Sequence, residues 1–299
     1  MSCKFCPRQC VKHNDRGGFC NTDSSVPEAA AVYVHHGEEP PISGQRGISN
    51  IFFAHCNLQC VFCQNYEISR QHVGSELIHL RGIDAIVEAA AESLQHTENM
   101  LGLVSATQYA DSIPVIVEKL HKRGLYPTVV YNSNGYDSIE TLKAIAPFID
   151  VYLPDLKYAD SRLAERYSNA ADYPLRATEA LKEMYSQKGS ALPIGDDGLA
   201  FRGIIIRHLV LPGQVDNSLQ CLRWIADNLS TNIHVSLMSQ YFPPDAGSLP
   251  DQLNRRLTDE EYSVVCDEFY RLGFHNGWTQ MPESSDNYKP HFANSTIFK

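Results

Sequence analysis

Residues 47–64 read GISNIFFAHCNLQCVFCQ. The first half, GISNIFFA, is apolar and rich in branched and aromatic side chains, which predicts a buried β-strand. The second half brings Cys56, Cys60 and Cys63 together with the spacing C-x-x-x-C-x-x-C. Three thiolates from one short loop can hold three irons of a cubane and leave the fourth iron open, unlike the four-cysteine electron-transfer cluster. An open ligand position permits chemistry on a bound molecule, by the logic that separates catalytic from structural zinc sites. The plainer alternative is a zinc site, with His55 or His72 as a fourth ligand. Phe62, just before the third cysteine, supplies a ring that can cover a cluster. A loop directly after a strand also suits a β/α barrel, whose active sites lie at the C-terminal ends of its strands.

Outward from this loop the chain alternates short apolar runs with amphipathic stretches. LGLVSA (101–106), YPTVVY (126–131), IDVYLP (149–154), FRGIIIRHLVL (201–211) and IHVSLM (233–238) read as five more strands. IDAIVEAAAESLQ (83–95), SIPVIVEKLHKRG (112–124), DSIETLKAIAPF (137–148) and NSLQCLRWIADNL (217–229) read as helices. Asp111 is placed to cap the second of these and Gly124 to end it. Asp137 and Glu140 look like a capping pair, and Thr258 with Glu261 forms a capping box before a final helix. Strands alternating with helices argue for a parallel sheet. Six of them predict an α/β fold, a partial (β/α)6 TIM-like barrel, over residues 41–299. Residues 1–40 then form a Cys-rich metal-binding segment and connector, with GEEPPISGQRG (37–47) at the junction.

The chain has 299 residues, 43% of them hydrophobic, and a formal net charge of -10. An acidic surface repels phosphate backbones, so nucleic acid is not an expected partner. No apolar run reaches the roughly 20 residues that span a bilayer, and the start, MSCKFCPRQC, lacks the apolar core of a secretory signal. The expected location is the cytoplasm, with no membrane partner. In a reducing compartment, clustered cysteines are more often metal ligands than disulfides. Besides the loop cysteines, Cys3, Cys6, Cys10 and Cys20 form a second group, C-x-x-C-P-R-x-C-x9-C, suited to zinc or a second iron–sulfur cluster. Pro7 and Gly17–Gly18 supply turns for such a wrap. Cys221 and Cys266 sit in helical patterns and read as buried apolar residues.

The cysteine loop after the first strand resembles that of the radical S-adenosylmethionine (SAM) superfamily. NIFFAHCNLQCVFCQNYEIS, VVYNSNGY, YLPDLKYAD, RHLVLPG and MSQYFP resemble one branch of it, the PflX-like group of pyruvate formate-lyase activating enzymes, over nearly the whole chain. The resemblance implies a [4Fe–4S] cluster whose open iron binds SAM through its amine and carboxylate. Reductive cleavage of SAM then gives a 5′-deoxyadenosyl radical that abstracts hydrogen from a substrate. It further implies that Phe62 flanks the adenine and that Asp155 and Lys157, in PDLKY, contact the methionyl end. Asn132, Ser133, Asn134 and Gly135 stand where activating enzymes carry a D-T-N-G segment, with Asn132 replacing the acidic residue. Arg207, charged within an apolar strand, must pair or face a polar cavity. It reads either as a cofactor-binding residue or as the partner of Asp155, while His208 faces the other way. Gln240 and Tyr241 lie at the correct end to touch cofactor or substrate. The G-G-E-like segment common in the superfamily is replaced by SATQYAD (105–111), where Ser105 or Thr107 offers a polar contact.

The implied partners are an electron donor such as flavodoxin or ferredoxin, and a glycyl-radical protein as substrate. A maturase or small-molecule enzyme of the same superfamily is the nearest alternative. A non-catalytic iron–sulfur or zinc protein, serving electron transfer or interaction, is the alternative from another class.

Overall fold

A computed structural model describes residues 3–10, 18–70, 73–245, 249–281 and 290–292. Its strands are β1 (Glu28–His35), β2 (Ile48–Phe53), β3 (Leu80–Arg81), β4 (Met100–Val104), β5 (Thr128–Ser133), β6 (Val151–Pro154), β7 (Gly203–Leu209), β8 (His234–Met238) and β9 (Gly277–Thr279). Its helices are α1 (Pro40–Ser43), α2 (Tyr66–Ser69), α3 (Ile83–Leu94), α4 (Ser112–Lys122), α5 (Ile139–Ile145), α6 (Ser161–Ser168), α7 (Tyr173–Lys188), α8 (Val215–Asn228) and α9 (Asp259–Arg271). The strands form one sheet in the order β3-β1-β2-β4-β5-β6-β7-β8-β9. From β2 to β9 every neighbour is parallel, while β1 runs antiparallel to β2 and β3 to β1. The sheet curls without closing, as a partial barrel does.

All six expected strands are present. β1, which precedes residue 40, pairs along the length of β2, with Val32 opposite Ile51 and His35 opposite Ile48. Its alanine-rich sequence, EAAAVYVH, carries little of the β-branched signal that marks a strand. A seventh parallel strand, β9, is three residues long and too short to stand out by pattern. Helices α6 and α7 fill the β6–β7 crossover, which the sequence reading left unassigned.

Three apolar clusters hold the described elements, the two largest as layers on either face of the sheet. The larger lies between sheet and helices and contains Ile51, Leu103, Tyr131 and Ile206 with Ile86, Ile113, Leu142 and Leu222. The smaller packs Ile48, Met100, Val130, Val151 and Ile205 with Ile42 of α1 and with Leu192 and Leu199. Strand residues that alternate between these layers, such as Ile205 and Ile206, explain the unbroken apolar runs of β7.

Candidate active site

The cysteine loop leaves the C-terminal end of β2. Two non-glycine residues, His55 and Gln59, take positive φ of 66° and 55° to turn it. The main chain is tied down by Val61 N donating to Tyr167 O at 2.8 Å and by Cys63 N donating to Cys60 O at 3.1 Å. Each loop sulfur then accepts a side-chain hydrogen bond: Cys56 from Asn134 Nδ2 at 3.4 Å, Cys60 from Ser168 Oγ at 3.0 Å, and Cys63 from Ser69 Oγ at 3.3 Å. His55 is not available as a zinc ligand, since Nε2 lies 3.1 Å from Glu28 Oε2 and Nδ1 3.3 Å from Arg70 O. His72 lies outside the described residues.

The three cysteines border one cavity of about 400 Å³, whose lining includes Phe62, Ser105, Asn132, Asn134, Asp155, Lys157, Arg207 and Gln240. Phe62 also wedges edge-on against Tyr158, Tyr167 and Tyr241, with ring centroids 6.3, 6.3 and 6.4 Å away. A chain of opposite charges crosses the cavity. Lys157 Nζ stands 2.5 Å from Asp155 Oδ2, Arg207 Nε 3.2 Å from Asp155 Oδ1, and Arg207 Nη1 3.0 Å from Glu38 Oε2. Arg207 Nη2 donates to Asn132 Oδ1 at 2.6 Å. Burial would push the Asp155 carboxyl up, but Lys157 and Arg207 outweigh it and hold it below the usual carboxylate range. Arg207 therefore pairs with Asp155 and lines the polar cavity.

Several expected positions fall elsewhere. Ser133 does not reach the cavity; its hydroxyl bonds Asp137 and accepts from Gly135 N at 2.9 Å. Side chains alternate along β5, so Asn132 and Asn134 share the cavity face and Ser133 takes the other. Thr107 is likewise turned away, donating to Asp137 Oδ1 at 2.8 Å, whereas Ser105 lines the cavity. Tyr241 is buried, its hydroxyl donating to Leu253 O at 2.6 Å, and only Gln240 of that pair lines the cavity. The sequence reading missed Asn134, Ser69 and Ser168 as partners of sulfur. The alternation rule applied to β5 would have found Asn134; nothing local marks the two serines. Glu38 and Glu39 were read as part of a Pro/Gly connector, and their place in the cavity is a product of β1 lying in the sheet.

The N-terminal cysteines sit against the outside of this loop. Arg8 fastens them there, with Nε donating to Asn57 O at 2.6 Å, Nη1 to Asn169 O at 2.9 Å and Nη2 to Ser168 O at 3.1 Å. Its guanidinium stacks 3.4 Å from the centroid of Phe19, and Gln59 Nε2 donates to Phe19 O at 2.8 Å. Burial, and then the sulfurs of Cys3 and Cys10, push the Cys6 thiol up to about 12. Cys20 is pushed up by burial and then by Cys6 and Cys56, so the two cysteine groups are neighbours. Among the described residues no three His, Cys, Asp or Glu side chains converge closely enough to grip a single ion.

A curled parallel sheet with three cysteines on the loop after its first parallel strand, beside a cavity at the C-terminal strand ends, is the arrangement of a partial β/α barrel. The family model of the radical SAM superfamily matches residues 50–225. An uncharacterized protein of Methanocaldococcus jannaschii is 30% identical over 294 residues, covering 91% of this chain and 75% of its own length. The crystal structure of Streptococcus suis SuiB bound to precursor peptide SuiA superposes with a TM-score of 0.50 at 12% identity, over 76% of this chain and 47% of that one. The chain thus spans about half the length of SuiB, and the likeness is one of fold. The crystal structure of methylornithine synthase gives a TM-score of 0.43 at 16% identity, over 77% of this chain and 65% of that one. This chain belongs to the radical SAM superfamily.

That family implies a [4Fe–4S] cluster and SAM, and the residues fit both. The corners of a cubane ask for thiols spread around a cavity rather than gathered on a point, and no fourth cysteine stands among the described residues of the lining. Donors aimed at sulfur are the outer-shell partners such clusters use. Burial pushes Cys63 up to about 12 and raises Cys60 as well, so taking up the cluster would release protons.

Proposed function

We propose that this chain cleaves SAM reductively and delivers the radical to a glycyl-radical protein, as a PflX-like activating enzyme does. The observation that carries the reading is the cavity itself: three hydrogen-bonded sulfurs on one wall and the partly buried Asp155–Lys157 pair in the same lining. When bound, the cluster supplies the electron that splits SAM into methionine and a 5′-deoxyadenosyl radical. Cys56, Cys60 and Cys63 would hold it. Lys157 would pair with the methionyl carboxylate and Asp155 would accept from the amine, each by a charge-assisted bond. Arg207 and Asn132 fix the orientation of Asp155. Phe62, braced by three tyrosines, closes the loop side against water.

The activating-enzyme assignment rests on the sequence motifs, and its electron donor would be a flavodoxin or ferredoxin. Cys3, Cys6, Cys10 and Cys20 are proposed to hold a second metal centre, zinc or iron–sulfur. Arg8, which ties the same segment to Asn57 and Ser168 next to the loop cysteines, supports the reading. The working location is the cytoplasm; among the described residues no helix is long and apolar enough to cross a membrane.

The test is reductant-dependent 5′-deoxyadenosine formation after anaerobic reconstitution. Wild type should form it. Cys60→Ser should not, while keeping its circular dichroism spectrum, because two thiolates cannot anchor the cubane. Wild-type turnover in that variant would sink the three-cysteine assignment.

A further inference from the structure

The three loop sulfurs are not held alike. Cys56 accepts from Asn134 Nδ2 and from Leu58 N, both at 3.4 Å, and Cys63 accepts from Ser69 Oγ at 3.3 Å. The shortest of these bonds belongs to Cys60, with Ser168 Oγ 3.0 Å away. That hydroxyl is itself 2.7 Å from the hydroxyl of Tyr158. Ser168 ends α6 and is 2% exposed, and Tyr158 is fully buried, so water does not compete for either group.

The direction of donation follows from counting protons. A cysteine sulfur bound to a metal carries no proton and can only accept. Ser168 then gives its one hydrogen to Cys60, and between the two hydroxyls only Tyr158 is left to donate. The result is a chain of donors from Tyr158 through Ser168 to the Cys60 sulfur, in which each bond polarises the next. The surroundings hold both residues in place. Ser168 O accepts from Arg8 Nη2 at 3.1 Å, and the preceding carbonyl, Tyr167 O, accepts from Val61 N of the cysteine loop at 2.8 Å. The Tyr158 ring is caged by Tyr173, Phe62 and Tyr167, with centroids 5.2, 6.3 and 6.4 Å away. Reduction adds negative charge to a cluster and its sulfurs, so a donor fixed on sulfur favours the reduced state.

We propose that Tyr158 and Ser168 are positioning residues that act as one donor chain on Cys60 and raise the reduction potential of the cluster held by the cysteine loop. Neither side chain belongs to the cavity lining, so both act through the sulfur and touch neither SAM nor substrate. The proposal rests on the assignment of Cys56, Cys60 and Cys63 as the cluster ligands and names what decides how readily that cluster takes an electron.

The test is potentiometry of the anaerobically reconstituted full chain, followed by the electron paramagnetic resonance of the reduced cluster. The loop cluster is the signal that the triple variant Cys56→Ala, Cys60→Ala, Cys63→Ala lacks. Ser168→Ala and Tyr158→Phe should each lower its midpoint potential. The double variant should lower it most, because neither hydroxyl is then left to replace the other. The shift expected there is about threefold to tenfold in the reduced-to-oxidised ratio at a fixed potential, where tenfold is about 59 mV for one electron. Ser168→Thr, which keeps the hydroxyl, should stay close to wild type. Tyr158→Phe removes one oxygen from a caged ring and keeps the test decisive even where Ser168→Ala does not load iron. A wild-type potential in Tyr158→Phe overturns the donor chain. So does a wild-type potential in the loaded double variant, or a shift in Ser168→Thr as large as that in Ser168→Ala, which would assign the effect to packing. A wild-type chain without the loop signal would overturn the three-cysteine assignment itself, and the proposal with it.

Discussion

Lys157 is a long cation held under cover by two neighbours, Asp155 at 2.5 Å and the sulfur of Cys60 within electrostatic reach. Burial alone would lower its pKa, but Asp155 and Cys60 outweigh it and raise it, so it is charged when SAM arrives. Lys157→Ala should therefore weaken SAM binding more than cluster assembly. One charge-assisted bond is worth roughly 1.5–3 kcal/mol, about tenfold or more in affinity. Equal SAM affinity of wild type and variant, measured with the cluster fully loaded, would mean Lys157 serves only Asp155. His208, on β7, shows the opposite electrostatics. It is fully buried, with Nδ1–H donating to Leu156 O at 2.6 Å and Nε2 accepting from Ser218 Oγ at 2.8 Å. Burial lowers its pKa from 6.5 to about 4. The neutral form is favoured in the fold, so between pH 6.5 and about 4 the unfolded chain binds the extra proton. Stability from this group is complete above pH 6.5 and is lost as pH falls through that window, by about 3 kcal/mol in all. His208→Gln should flatten that part of the denaturation midpoint against pH; an unchanged slope would assign the acid sensitivity to other groups.

Helix ends were legible where the cap is local and not where a neighbouring element pre-empts it. At α9 the capping box forms in full: Thr258 accepts from Glu261 N at 3.2 Å and Glu261 Oε2 accepts from Thr258 N at 3.1 Å. Thr258→Ala should cost about 1 kcal/mol of stability, read from the urea midpoint. At α4 the expected cap fails. Asp111 already has helical φ and ψ of −65° and −19°, because the chain runs into α4 from a tight turn at Thr107–Tyr109, and its side chain caps nothing. Asp111→Ala should then be nearly neutral in the same assay, and a loss equal to that of Thr258→Ala would restore the cap. At α5 the cap is Ser138, accepting from Thr141 N at 3.2 Å. Asp137, the expected candidate, is drawn inward to receive Thr107 and Tyr131, both at 2.8 Å. A buried hydroxyl network outcompetes an exposed cap for the one acceptor available.

Over the whole molecule, the N-terminal cysteines and the loop cysteines are brought side by side by Arg8, whose donors reach across 49 to 161 residues of chain. If Cys3, Cys6, Cys10 and Cys20 bind one centre of their own, it should survive loss of the other. The triple variant Cys56→Ala, Cys60→Ala, Cys63→Ala, prepared without oxygen, should retain metal. About one zinc per chain would indicate a structural site, and about four irons with matching sulfide a second cluster. Absence of both metals from the variant would return these cysteines to free thiols.

The sequence by itself determined the strand–helix alternation, the partial barrel and the cysteine loop, because each is written in neighbouring residues. Periodicity marks a buried parallel strand, and the spacing of Cys56, Cys60 and Cys63 needs no distant partner to be read. It also placed Asp155, Lys157 and Arg207 at the ends or within the right strands. Only the tertiary structure decided which side chains face the cavity together. Ser133 lost its place to Asn134 by strand alternation, and Glu38 and Glu39 gained theirs because β1 pairs with β2 and carries the connector under the barrel. Ser69 and Ser168 reach their sulfurs from α2 and α6, and Arg8 joins the N-terminus to the loop. Such contacts are fixed by sheet order and long-range packing, and a local pattern carries no record of either.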